Sequence, residues 1–96
     1  MLNMNFKIAC AFGVDEALVL QTLWEDEHHT IDSFALRDKL RFLTIESFKT
    51  TLKKLQLACL VEEVHVGEFV EAFYELTDFG KKVMEVAMKM ETEDGD

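Results

Sequence analysis

The stretch Leu40-Arg41-Phe42-Leu43-Thr44-Ile45-Glu46-Ser47-Phe48 decides how this chain folds. Thr44 is a helix N-cap: its hydroxyl can accept an otherwise unpaired backbone N–H, and Glu46 puts a carboxylate in the first turn, at the positive end of the helix dipole. Beyond it, Phe48, Leu52 and Leu55 recur at i, i+4 and i+7, the spacing of one buried helix face. Glu46, Lys49, Thr50 and Lys53 then point outward.

Upstream, Thr30 or Asp32 starts a short helix through Phe34, Ala35, Leu36 and Leu40 that stops near Arg41 and Phe42. Before it, Asp15 is an N-cap for a helix whose apolar residues Ala17, Leu18, Leu20, Leu23 and Trp24 keep helical spacing as far as the charged Glu25 to His29. Residues 2 to 8 alternate like a strand. Phe6, Ala9, Cys10 and Gly13 equally fit a short helix closed by glycine, preferred because it needs no partner strand.

Downstream, residues 60 to 66 and 69 to 76 are rich in β-branched and aromatic side chains, and Gly67-Glu68 separates them. That pattern is a β-hairpin. Thr77 caps a last helix in which Val83, Met84, Val86, Ala87, Met88 and Met90 are apolar. Six such residues exceed the three or four per two turns that one core-facing stripe needs, so a second apolar face is left for a partner copy.

The 96 residues carry 10 Lys plus Arg against 19 Asp plus Glu, a net charge of -9, with 49% hydrophobic residues. This is one folded domain, too short for a two-domain enzyme. Two cysteines, Cys10 and Cys59, and no cationic leader before an apolar run point to reduced thiols, apolar core positions and a cytoplasmic location. No apolar run approaches the about 20 residues of a membrane span. The cations are gathered: residues 34 to 59 hold Arg37, Lys39, Arg41, Lys49, Lys53 and Lys54 against Asp38 and Glu46, or +4, which leaves -13 elsewhere.

The order helix, short helix, capped helix, hairpin, helix, together with residues 40 to 48 and the apolar positions Leu52, Leu55, Leu60 and Val61, resembles a winged helix-turn-helix domain. Tyr74-Glu75-Leu76-Thr77-Asp78-Phe79-Gly80 is similar to the junction between wing and following helix in MarR-like and PadR-like regulators. Phe12 to Trp24 resembles the opening of winged-helix proteins from phage and plasmid replication modules. The resemblance spans residues 15 to 88 and implies a mainly α fold with a small β-hairpin: a three-helix core, a wing and a C-terminal helix. Residues 1 to 90 would form a single winged-helix domain and residues 91 to 96 an acidic tail.

The resemblance also implies function. A short turn between two helices sets the second at a steep angle, with one face on the core and the other free for a major groove. The expectation is a dimeric DNA-binding regulator that presents Arg37, Lys39, Arg41, Thr44, Ser47, Lys49, Thr50, Lys53 and Lys54 to double-stranded DNA and pairs through Val83, Met84, Ala87, Met88 and Met90. Two departures stand against the family pattern. Cys59 occupies a position that is usually glycine, and residues 60 to 76 hold Glu62, Glu63, Glu68, Glu71 and Glu75 with no Lys or Arg, so the wing repels phosphate. A protein-interaction module, or a replication accessory factor binding DNA or a loader protein, is the alternative.

Catalysis is not expected: there is no serine in a glycine elbow and no phosphate-cradling glycine loop. Glu25 and His29, at i and i+4 within the cluster Glu25, Asp26, Glu27, His28, His29 and Asp32, lack the companions of a closed four-ligand site. No metal and no cofactor are expected, and His65 is a solvent-facing strand residue.

Overall fold

The computed structural model describes residues 12 to 65 and 72 to 94, with side chains as far as Lys89. The short N-terminal helix, the hairpin turn, Cys10 and the side chain of Met90 lie outside the described residues. In chain order the elements are α1 (Val14–Glu25), β1 (Thr30–Asp32), α2 (Ser33–Lys39), α3 (Ile45–Leu57), β2 (Val61–His65), β3 (Ala72–Leu76) and α4 (Asp78–Asp94).

Helix α1 is the axis of the core. Every residue from Ala17 to Leu23 is buried, including Gln21 and Thr22. The Thr22 hydroxyl returns to the Leu18 carbonyl at 2.6 Å, which meets its hydrogen-bonding need inside the helix. Gly13 rather than Asp15 is the N-cap, at φ 97, so Asp15 and Glu16 fall in the first turn. Against α1 pack Leu36 and Leu40 of the α2 end, Phe48, Leu52 and Leu55 of α3, Leu60, Val61 and Leu76 of the wing, and Met84 of α4.

Caps define the helix starts. The Asp32 carboxylate accepts from the Ala35 amide at 2.8 Å, and the Thr44 hydroxyl accepts from the Ser47 amide at 3.1 Å. At α4, the Thr77 hydroxyl accepts from the Gly80 amide at 2.9 Å. The second helix starts at Asp32 because Thr30 belongs to a strand that the sequence did not suggest. Phe34, expected on the apolar side of α2, is 67% exposed. Its neighbour Leu36 takes the core position instead.

The sheet has three antiparallel strands in the order β1-β3-β2. Thr30 pairs with Glu75 and Asp32 with Phe73, so β1 closes the free edge of β3. The register of β2 and β3 pairs His65 with Ala72. A two-residue turn at Gly67-Glu68 would instead have paired His65 with Val70. Helix α4 runs on through Glu91 to Asp94, where a tail was expected, because the chain offers no Gly or Pro until Gly95. Among the described residues, no helix is long and apolar enough to cross a membrane.

Cys59 is exposed rather than buried, and its φ is 62. It stands at the left-handed position after α3: its amide donates to the Gln56 carbonyl and the Leu60 amide to the Leu55 carbonyl, both at 3.0 Å. That is a Schellman ending, the place where glycine is favoured. A second glycine-dependent contact lies beside it, since a Cβ on Gly80 would collide with the Leu60 carbonyl oxygen. Denaturant unfolding should therefore show Cys59→Gly gaining about 0.5 to 1 kcal/mol by relieving left-handed strain. Gly80→Ala should lose more than about 2 kcal/mol, because backbone must move. Equal effects at the two sites would contradict this assignment.

Candidate nucleic-acid interface

One side chain ties the turn between α2 and α3 to the start of α3. Arg37 Nη1 donates to the Leu40 carbonyl at 3.1 Å and to the Leu43 carbonyl at 2.9 Å, while its guanidinium lies 5.3 Å from the centre of the Phe48 ring. The Leu40 carbonyl already accepts the Leu43 amide at 3.0 Å, so Arg37 adds a second donor there and supplies one to the Leu43 carbonyl. Arg37 was expected to face DNA; its donors instead hold the turn that aims α3. Nothing in the sequence signals this, because the carbonyls it binds belong to residues of no special type.

The remaining expected DNA contacts divide by environment. Thr44 and Ser47 are tied to each other, the Thr44 hydroxyl donating to Ser47 Oγ at 3.0 Å beside the cap bond. Lys54 turns towards α1, its Nζ 3.8 Å from the carboxylate of Glu16. Arg41 pairs with Asp38 at 3.3 Å, with both side chains about three-quarters exposed, a pair of little energetic weight. Lys39, Lys49 and Lys53 are exposed and form no ion pair with another described residue. Lys49, Thr50 and Lys53 lie at i, i+1 and i+4 on the solvent side of α3, opposite Phe48, Thr51, Leu52 and Leu55.

The wing is acidic in structure as in sequence. Glu62 and Glu75 face each other across β2 and β3. The carboxyl of Glu62 is pushed above its ordinary value by a hydrogen bond with Glu75, then by lost solvation and the negative charges of Glu75 and Asp78, against a weaker opposing pull from Lys81. Glu75 also accepts from the Thr30 hydroxyl at 3.0 Å, and Glu63 accepts from the Tyr74 hydroxyl at 3.1 Å. Burial, followed by that bond and the charge of Glu63, raises the Tyr74 phenol. His65 is solvent-facing, 3.3 Å from Glu63.

The acidic, histidine-containing end of α1 is a turn device. Burial alone would raise the Asp26 carboxyl, but amide donors of His28 at 3.0 Å and Thr30 at 3.3 Å, with the neighbouring imidazoles, bring it below its ordinary value. His29 adopts φ 57 and stacks on Trp24, ring centres 4.8 Å apart. Because α1 ends at Glu25, Glu25 and His29 are not a helical pair. Among the described residues, no three metal-binding side chains converge.

On α4, Met84 is completely buried in its own chain, which removes it from the expected dimer surface. Val83 and Ala87 lean on the same core. Among the described side chains of this helix, the exposed large apolar ones are Phe79 at 56% and Val86 at 57%, one face apart from Met84.

No protein-family model matches the chain, and no curated protein matches it in sequence. Solved structures do match it in shape. AbsC, a MarR family transcriptional regulator from Streptomyces coelicolor, superposes with a TM-score of 0.71 at 18% identity over 93% of this chain and 62% of its own. Reduced AbfR bound to DNA gives 0.71 at 23% identity over 93% of this chain and 64% of its own. A C30AH42A mutant of ZitR from Lactococcus lactis, in apo form, gives 0.63 at 18% over 93% and 66%. The fold is a winged helix-turn-helix, in a chain that spans just under two-thirds of the length of these proteins.

The Glu62 shift fixes the sign of a pH effect. A carboxyl whose pKa is raised on folding binds its proton more tightly in the folded state, so its contribution is present in acid and lost as pH rises through the folded value. Glu62→Gln should therefore raise the melting temperature near pH 7 and flatten its fall between about pH 4 and pH 7. A variant whose melting profile parallels the parent at every pH would contradict the Glu62–Glu75 coupling.

Proposed function

We propose that this chain is a winged-helix DNA-binding protein acting as a transcriptional regulator, with α3 as the element that enters the major groove. The observation that carries this reading is the solvent face of α3, where Lys49, Thr50 and Lys53 stand together without carboxylate partners among the described residues. The DNA-bound state of AbfR, a protein of the same fold, supports it. Lys39, at the end of α2, and Arg41, in the turn, add positive charge before the same helix. The acidic wing stays off the backbone, so one copy holds duplex weakly, through few phosphate contacts.

A second copy supplies the remaining affinity. The exposed Phe79 and Val86 of α4 are the apolar surface for pairing. Sedimentation at micromolar concentration should give twice the chain mass, and Phe79→Ser with Val86→Ser should return it to the monomer without loss of helix content. A monomeric parent would contradict the dimer.

Fluorescence polarisation against random duplex over a salt series tests the DNA reading. Binding should weaken with salt, each phosphate contact adding about -0.9 to the logarithmic slope. Lys49→Glu with Lys53→Glu should abolish binding, and Glu62→Lys should strengthen it by removing repulsion. Absence of parent binding near 50 mM salt, where electrostatic affinity is large, would overturn the regulator reading.

A further inference from the structure

Between α2, α3 and β3 runs a groove of about 560 Å³ lined by Phe34, Ile45, Phe48, Leu52 and Tyr74 among others, with Lys49 and Lys53 on its α3 wall. Its lining is mostly apolar. Phe34 and Ile45 are 67% and 58% exposed, so two large hydrophobic side chains remain in water. Phosphate oxygens have no use for such a surface, whereas a packed partner would cover it. No carboxylate lines the groove, although the chain outside residues 34 to 59 carries -13; Glu63, held by the Tyr74 hydroxyl, is not among the lining residues. Arg37, the other cation there, is committed to the turn carbonyls, which leaves Lys49 and Lys53 as the charges a ligand would meet.

We infer that this groove binds an acidic amphipathic helix of a partner protein, whose apolar residues at i, i+3, i+4 and i+7 cover Phe34 and Ile45 while its carboxylates meet Lys49 and Lys53. The complementarity is both apolar and electrostatic, and a cleft walled by two helices suits the helix-in-groove mode of recognition. The α4 of a second copy is a poorer occupant: the helix as a whole has five carboxylates against three lysines, but Lys82 and Lys89 flank its exposed Phe79 and Val86 and would face the same lysines. The inference adds a partner to the proposed DNA surface and shares only Lys49 and Lys53 with it. The two ligands therefore exclude each other, and an acidic partner releases duplex.

The probe is a fluorescein-labelled, Glu-rich synthetic helix with Leu at i, i+3, i+4 and i+7, titrated with the intact chain beside a scrambled peptide of equal composition. The ordered peptide should bind at least tenfold more tightly than the scrambled one. Phe34→Ser with Ile45→Ser should weaken it at least tenfold while circular dichroism keeps the parent melting curve, since both side chains lie outside the core. Lys49→Glu with Lys53→Glu should weaken it as well, and Lys81→Glu with Lys82→Glu should not. Equal binding of the two peptides, insensitivity to Phe34→Ser with Ile45→Ser, or no binding at millimolar concentration would overturn the inference. Loss of self-association in Phe34→Ser with Ile45→Ser would overturn it too, by making a second copy the occupant. Duplex binding by Phe34→Ser with Ile45→Ser at parent strength separates this groove from the DNA reading, which stands or falls on the duplex titration alone.

Discussion

The carbonyl of Leu60 is the point on which the arrangement turns. It accepts the Thr77 amide at 3.0 Å, and Gly80 passes so close that any side chain would collide with it. One residue before, the Cys59 carbonyl accepts the Thr77 hydroxyl, which also caps α4. The end of α3, the start of β2, the end of β3 and the start of α4 are thereby held in one knot of backbone contacts. Leu60 and Leu76 are buried beneath it, so the polar contacts fix orientation while apolar burial supplies most of the free energy. The wing and α4 cannot swing relative to α3 without breaking it.

A second clamp works from the other end of α3. Arg37 bonds the turn carbonyls and covers Phe48, so the helix is aimed at both ends. What this rigid frame presents is electrically polarised: on α3, Lys49 and Lys53 with no ion-pair partner among the described residues, and on the wing a pair of glutamates close enough to raise one carboxyl. A basic α3 face beside an acidic wing attracts phosphate at one place and repels it at another. The same lysines border an apolar groove, so one face can serve two kinds of ligand in turn.

Much of this was legible in the sequence wherever a local rule decided the outcome. Thr44 and Thr77 act as caps because a threonine before an apolar-periodic run has an amide to satisfy. Phe48, Leu52 and Leu55 are buried because their spacing leaves them one face. Strand β1 was not legible: three residues are too few to display a period, and their partners Phe73, Tyr74 and Glu75 lie 41 to 45 positions away. The exposure of Phe34 and of Cys59, and the inward turn of Met84, are set by tertiary packing rather than by residue type. The candidate site shows the same division. The outward positions of Lys49, Thr50 and Lys53 follow from helical phase, whereas the diversion of Arg37 to the turn and of Lys54 to Glu16 depends on contacts between elements.

The proposed interface is α3, with the wing clear of duplex. Amide chemical-shift mapping of the isotope-labelled chain, titrated with a short duplex at low salt, tests it residue by residue. Shifts are expected at Lys49, Thr50 and Lys53 and across the Leu40 to Thr44 turn, with Glu62, Glu63 and Glu75 unmoved. Shifts centred on the wing strands, with the α3 amides unmoved, would contradict it.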